Sequence, residues 1–279
     1  MILSGTKTIL VTGASGGLGT YITLKLAEYG AKLALVAYPG AELEELCRKV
    51  KAKGGTAVSL AADLSIAAER NKVLDFVHQQ FGEIDLLINN AGIEFTSDYH
   101  DLTEQSINDI IGINLVAPMI LTRLVLPEML RRGSGHIVNI SSLAGKSGPA
   151  CQEPYAATKA GLIAFTASLR ATYRGTGVSA SVVCPGFVEA GIYESLKKRT
   201  GFSAPPLLGT SKPEAVTRAV VRAIESDLPE VIVNPLPVRP LFAISALFPR
   251  LGEFLTRQTG AHAFFKGIAA ALKRENQKR

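Results

Sequence analysis

Seven short apolar runs recur along the 279-residue chain, and helical spacing fills most of the gaps between them. They read "KTILVT" (7–12), "AKLALVA" (31–37), "TAVSLAAD" (56–63), "IDLLINN" (84–90), "GHIVNIS" (135–141), "VSASVVCPG" (178–186) and "EVIVN" (230–234). These runs are continuously apolar, as expected of strands buried on both faces of a parallel sheet. Helical patterns lie at "YITLKLAEYG" (21–30), "AELEELCRKVKAKGG" (41–55) and near 66–81, 103–131, 154–173 and 212–225. Strand–helix–strand order with right-handed crossovers predicts a doubly wound, Rossmann-type α/β sheet with helices on both faces. No repeat, linker or charge block divides residues 1–234, so they are expected to form one domain, with 235–279 as a helical extension.

Charge separates the same two parts. The chain carries 30 Lys and Arg against 24 Asp and Glu, a net charge of +6. Residues 235–279 hold eight basic and two acidic side chains, so 8 − 2 = +6 falls on the extension and residues 1–234 are neutral. A neutral core argues against nucleic-acid binding. Cys47, Cys151 and Cys184 form no C-x-x-C pair and read as reduced residues of a cytoplasmic protein. His78, His100, His136 and His262 lack metal-ligand spacing, so no metal is expected. The opening "MILSGTKTIL" lacks a signal-peptide pattern, and no uninterrupted apolar run reaches membrane-spanning length.

Between the first strand and first helix lies "TGASGGLG" (12–19), with glycines at 13, 17 and 19. Such glycines let the backbone turn sharply and approach a pyrophosphate, and the helix that follows offers free N–H groups and a favourable dipole. A bare strand–helix turn is the plain alternative, but this context favours a nucleotide site. Asp63, after the third strand, suits an adenine amine or a helix cap, and the two roles are compatible. "NNAG" (89–92) stands at the carboxyl end of the fourth strand, where open α/β sheets bind ligands. "EPYAATKAGL" (153–162) places Tyr155 and Lys159 one above the other on a helix.

These motifs together resemble the short-chain dehydrogenase/reductase family. The chain matches T-G-x-x-x-G-x-G (Thr12 to Gly19), the strand-end Asp63, N-N-A-G, a helical Asn114, Ser142 after the fifth strand, Y-x-x-x-K (155–159) and P-G (185–186). The resemblance spans about residues 5–234 and implies an NAD(P)-dependent oxidoreductase acting between a ketone and a secondary alcohol. It assigns Tyr155 as acid/base, Lys159 to lower the phenol's pKa and hold the ribose, Ser142 to bind the substrate oxygen, and Asn114 to hold a water near Lys159. Of the two serines in "NISS", Ser142 has the separation from Tyr155 that fits the pattern; Ser141 is the alternative. The implied cofactor site comprises Thr12, Gly13, Ser15, Gly17, Leu18, Gly19, Tyr38, Asp63, Leu64, Asn90, Ala91, Gly92, Tyr155, Lys159, Pro185, Gly186 and Val188.

The chain departs from the pattern in two places. Ala37 occupies the position of an NAD-type acid, Tyr38 stands where NADP users often carry Arg, and position 16 of the glycine loop is Gly rather than basic. Loss of the carboxylate removes repulsion against a 2′-phosphate, which tips the choice toward NADP and leaves NAD open. Ala190 replaces the threonine that commonly follows P-G, so a contact to the cofactor there would come from the Val188 backbone or be missing.

Residues 187–211 form the least regular stretch, which covers the substrate in relatives. Phe187, Ile192, Tyr193, Leu196, Phe202 and Leu207, with Glu94 and Phe95, suggest a lipophilic substrate or simply a packed lid. In the extension, apolar residues at 241, 244, 248, 251 and 255 form an amphipathic stripe, with Pro249 expected to kink it, and "AHAFFKGIAAALKR" is a second helical pattern. Three roles remain open for it: covering the domain, joining subunits of a homodimer or homotetramer, or resting peripherally on an anionic membrane. A catalytically silent nucleotide-binding scaffold, or a lipid-surface protein acting through this tail, are the competing functional classes.

Overall fold

The computed structural model describes residues 3–277. All seven expected strands form: β1 (Thr8–Thr12), β2 (Lys32–Ala37), β3 (Thr56–Ala61), β4 (Leu86–Asn89), β5 (Gly135–Ile140), β6 (Val178–Pro185) and β7 (Glu230–Val233). They make one sheet in the order β3-β2-β1-β4-β5-β6-β7, parallel at every pairing. The order reverses between β1 and β4, opening a crevice at the strands' carboxyl ends.

The helices are α1 (Gly17–Ala27), α2 (Leu43–Ala52), α3 (Ala67–Phe81), α4 (Glu104–Ile111), α5 (Ala117–Arg132), the single turn α6 (Ala144–Ser147), α7 (Glu153–Thr172), α8 (Gly191–Thr200), α9 (Pro213–Glu225), α10 (Arg239–Leu247), α11 (Pro249–Gln258) and α12 (Ala261–Asn276). Successive strand residues enter opposite cores. Ile9, Val11, Leu33, Leu35 and Ile88 pack with Ile22 and Leu26 of α1, Leu46 of α2 and Val220 of α9. Leu10, Ala34, Val36 and Leu87 pack with Val73 and Val77 of α3 and with Leu121 and Val125 of α5. Burial on both faces explains why these strands lack a polar alternation.

A π-helical turn, Gly112–Val116, joins α4 to α5. The continuous helix Glu104–Arg132 is long and apolar enough to cross a membrane by length and composition alone. Here Ala117, Leu121, Val125 and Met129 are buried in the core beside the sheet. Asp85 anchors the start of β1, accepting from the Thr8 amide at 2.9 Å and the Lys7 ammonium at 3.1 Å.

Two regions differ from the sequence expectation. The stretch 187–211 contains a ten-residue helix, α8, capped at its end by Gly201 in the left-handed region. The amphipathic stripe of the extension does not form one kinked helix. Pro249 starts α11, and the chain bends at Phe248 because proline supplies no amide to continue α10. Gly252 of α11 packs so closely on α10 that a Cβ there would lie 2.3 Å from the Ser245 Cα.

The third core joins the lid to the extension: Tyr193 and Leu196 of α8 meet Phe264, Phe265, Ile268 and Leu272 of α12, with Phe187 against them. Ring centroids of Phe187 and Phe264 are 5.1 Å apart in an edge-to-face arrangement. Lys273 pairs with Asp101 at 2.7 Å and Arg199 with Glu275 at 3.1 Å.

Candidate active site

The glycine loop forms the floor of a cleft of about 740 Å³ over the carboxyl ends of β1, β2 and β4. Gly19 has no room for a side chain, since a Cβ would lie 1.9 Å from the Gly13 carbonyl oxygen. Gly17 adopts φ +21° and its Cβ would lie 2.2 Å from the Cα of Gly191, where α8 begins. No side chain caps α1, leaving its first N–H groups available to an anion. Thr12 and Gly19 do not line the cleft; they shape it from behind. The Thr12 hydroxyl accepts from the Asn90 and Ala91 amides, both at 3.1 Å, and Asn90 Nδ2 donates to the Gly13 carbonyl at 2.9 Å. These bonds fix the loop against the end of β4.

Gly13, Ser15, Gly17, Leu18, Tyr38, Asp63, Leu64, Asn90, Ala91, Gly92, Tyr155, Lys159, Pro185, Gly186 and Val188 all line the cleft. A long cleft with a bare glycine floor beside a free helix N-terminus fits a dinucleotide. Asp63 accepts from the Ser65 amide at 2.9 Å and the Ser65 hydroxyl at 2.7 Å, the geometry of a turn at the entry to α3. Tyr38 is 71% exposed at the cleft mouth. Among the described residues lining the cleft, Lys159 is the one Lys or Arg. Ala37, Glu42, Ser65, Asp109 and Ile113 also line it. Of these, sequence reasoning named Ala37 and missed the other four, because only folding brings the entry to α2, the loop after β3 and the end of α4 to the rim. Arg70 was missed too; its guanidinium holds the loop after β3 by donating to the Leu64 and Ser65 carbonyls at 2.6 and 3.0 Å.

Four side chains of the expected chemical set gather at the inner end. Ser142 follows β5, Tyr155 and Lys159 lie one turn apart on α7, and Asn114 sits in the π-helical turn. Asn114 is fully buried, accepting from the Ile93 amide and donating to its carbonyl, both at 2.8 Å. A Cβ placed on Gly92 would lie 3.4 Å from both Asn114 Oδ1 and Lys159 Nζ, which places the three residues together at contact distance. Ser141 donates to the Lys159 carbonyl at 2.7 Å, whereas the Ser142 hydroxyl oxygen accepts from the Ala144 amide at 3.1 Å.

Burial pushes the Tyr155 phenol up to about 12, against the opposing hydrogen bond with Ser142 and assisted by the negative charge of Glu94. Burial also brings the Lys159 ammonium down to about 8. Lys159 Nζ lies 5.5 Å from the ring centroid and donates to the Ile140 carbonyl at 3.0 Å. Desolvation outweighs attraction at this separation.

An apolar cavity of about 140 Å³ adjoins the cleft. Ser142, Tyr155, Gly186, Ile192 and Tyr193 line both spaces. Phe187 and Leu196 face the cavity as expected; Phe202 and Leu207 do not line it. Phe202 instead packs on Phe264, and Leu207 points to solvent because its turn is held by Pro205, whose carbonyl accepts from Leu208 and Gly209. Phe95 is also exposed. Glu94 is tied by hydrogen bonds to Thr96 and to Gln152 Nε2, and burial raises its carboxyl pKa. The outer wall comes from the extension: Val238, Leu241, Phe242, Thr256, Thr259, Phe264 and Phe265. The amphipathic pattern announced these helices without revealing that their inner faces line a cavity. Ala190 donates its amide to the Val188 carbonyl at 2.7 Å and lines the cleft without a polar side chain.

Comparison with known proteins places this geometry. The model of a family described as "short chain dehydrogenase" matches residues 7–201. The ketoacyl reductase HetN of Nostoc sp. is 45% identical over 232 residues, 83% of this chain and 80% of that one. The 3-oxoacyl-[acyl-carrier-protein] reductase FabG of Staphylococcus aureus is 38% identical over 193 residues, 68% of this chain and 78% of its own. A metagenomic short-chain oxidoreductase solved in complex with NADP superposes with a TM-score of 0.71 at 33% identity, spanning 84% of this chain and 99% of that one. The family match stops at residue 201, ahead of α9 to α12.

Proposed function

Because the chain belongs to the short-chain dehydrogenase family of oxidoreductases, we propose that it reduces a ketone carried on an apolar chain, with NADPH as hydride donor. The observation that carries this reading is that Ser142 and Tyr155 stand on the wall shared by the polar cleft and the apolar cavity. A carbonyl there reaches both hydroxyls while its chain lies among Phe187, Leu196, Phe242 and Phe265. The likeness to reductases named for ketoacyl substrates supports a 3-oxoacyl group as that ketone.

When bound in the cleft, NADPH would supply the hydride equivalent that reduces the carbonyl carbon. Tyr155 donates its phenolic proton to the carbonyl oxygen, so the ketone leaves as a secondary alcohol. Ser142 donates to the same oxygen and stabilises the charge growing on it. Lys159 would hold the ribose hydroxyls, and Asn114, locked to the Ile93 backbone, would orient the water that restores the proton.

The preference for NADPH rests on Ala37, where no carboxylate repels a 2′-phosphate, and on the likeness to an NADP complex. Residues 1–234 act as the dinucleotide-binding and catalytic unit, and 235–279 as an extension that completes the substrate pocket. Exposed Ile111, Val116 and Met119 on the helix from Glu104 to Arg132 support a homodimer or homotetramer. A silent scaffold has no use for the complete set Asn114, Ser142, Tyr155 and Lys159. Turnover of 3-oxoacyl thioesters and simple ketones of increasing chain length, with NADPH and with NADH, tests the reading. Rising kcat/KM with chain length supports it; no turnover of any member despite NADPH binding sinks it.

A further inference from the structure

The hairpin of α10 and α11 has two apolar sides. Its inner side gives Leu241, Phe242, Thr256 and Thr259 to the substrate cavity. Its outer side carries Leu247, Phe248, Leu251 and Phe254, which are 73%, 60%, 48% and 57% exposed. These four positions follow the spacing i, i+1, i+4, i+7 and form a ridge along the bend and the first turns of α11. Single exposed apolar side chains are ordinary, but four large ones in eight positions are a patch that calls for a partner. Arg250 and Arg257 are exposed on the same helix, Arg257 paired with the equally exposed Glu253 at 3.4 Å, so α11 carries a net charge of +1 within the basic extension.

We infer that this ridge docks on an anionic lipid surface, from which an apolar substrate reaches the cavity on the hairpin's other side. The substrate half of this inference rests on the reading of the cavity as a lipophilic-ketone pocket. Charge decides for lipid over a second copy of the chain. A two-fold contact centred on the ridge would bring Arg250, for which no acidic partner is found among the described residues, near its own copy, whereas acidic headgroups neutralise it. Apolar side chains flanked by arginines on a helix of low overall hydrophobicity are also what an interfacial helix needs. The membrane contact is peripheral, through the acyl boundary.

Co-sedimentation of the full chain with phosphatidylcholine vesicles, with and without phosphatidylglycerol, tests the surface. The expected result is binding to the anionic vesicles that weakens with added salt. The triple variant Phe248→Ser, Leu251→Ser, Phe254→Ser should reduce partitioning by about tenfold or more. None of the three lines the cavity, so the variant should reduce a short, water-soluble ketone at the wild-type rate. Arg250→Glu with Arg257→Glu should abolish the preference for anionic vesicles. Failure of the wild type to bind either vesicle, or equal binding by the triple variant, overturns the inference. A wild-type dimer that the triple variant converts to monomer, without vesicle binding, assigns the ridge to a second copy instead. Loss of soluble-ketone reduction in the wild type would count against the reductase reading alone, because vesicle binding is measured without substrate.

Discussion

Lys159 Nζ lies 5.5 Å from the centroid of the Tyr155 ring and spends a hydrogen bond on the Ile140 carbonyl at 3.0 Å. One turn of α7 separates the two residues, so the helix sets their spacing and burial sets their chemistry. Desolvation pushes both toward neutrality, the phenol upward and the ammonium downward. The phenol therefore stays protonated across the neutral range, and the first two predictions follow from that.

Replacing Tyr155 with Phe removes the proton donor and keeps the ring. Turnover should fall by about a hundredfold or more. NADPH affinity, read by fluorescence titration, should change by less than about threefold, since Lys159 and the glycine loop remain. Near-wild-type turnover in this variant would dispose of the mechanism.

The two reaction directions should respond differently to pH. Ketone reduction needs the protonated phenol, which persists up to about 12, so this group causes no loss between about pH 6 and 9. Alcohol oxidation needs the phenolate, whose fraction grows about tenfold per unit below that pKa. Initial rates in both directions, at saturating cofactor, distinguish this from a phenol already ionised near neutrality.

Cofactor choice should turn on positions 37 and 38. Ala37→Asp places a carboxylate near the ribose and should lower kcat/KM for NADPH by about tenfold or more relative to NADH. Tyr38→Arg should move the ratio the other way. The wild-type preference should itself be modest, because Lys159 is the one Lys or Arg among the described residues lining the cleft.

Phe265 joins the cavity wall to the third core. Phe265→Ala should cost about 3 kcal/mol, read by urea denaturation. It should also raise KM for long-chain ketones more than for short ones. Equal effects on both would show that the extension packs without touching substrate.

His136 is buried against the Ser181 hydroxyl at 2.9 Å, and burial lowers its pKa to about 4 from 6.5. Below about 6.5 the unfolded chain binds a proton that the folded chain refuses, so stability should fall as pH drops from about 6.5 to about 4. The loss from this residue alone is on the order of 3 kcal/mol. His136→Gln should flatten that part of the stability profile in urea titrations at several pH values.

All seven strands and the longer helices of the domain were legible because continuous apolar runs and 3.6-residue spacing are local properties of the chain. The motif residues lining the cleft were legible for a related reason. A glycine loop after β1 and residues after β4 and β5 stand at strand carboxyl ends, which a parallel sheet brings to one edge.

What the tertiary structure alone decided concerns burial and long-range meeting. Thr12 and Gly19 sit in the motif, yet they brace the cleft from behind because their partners lie on β4 and in the loop itself. The pKa of Tyr155 could not be read from its spacing to Lys159, because desolvation depends on every element packed around the pair. Phe264 and Phe265 stand more than a hundred residues after Tyr155. No periodicity could place them over the same cavity; that required α12 to fold back onto α8. Sequence by itself determined which residue types stand at the strand ends and which helices are amphipathic. Folding determined which faces meet, because packing joins side chains by complementary shape and burial, whatever their distance along the chain.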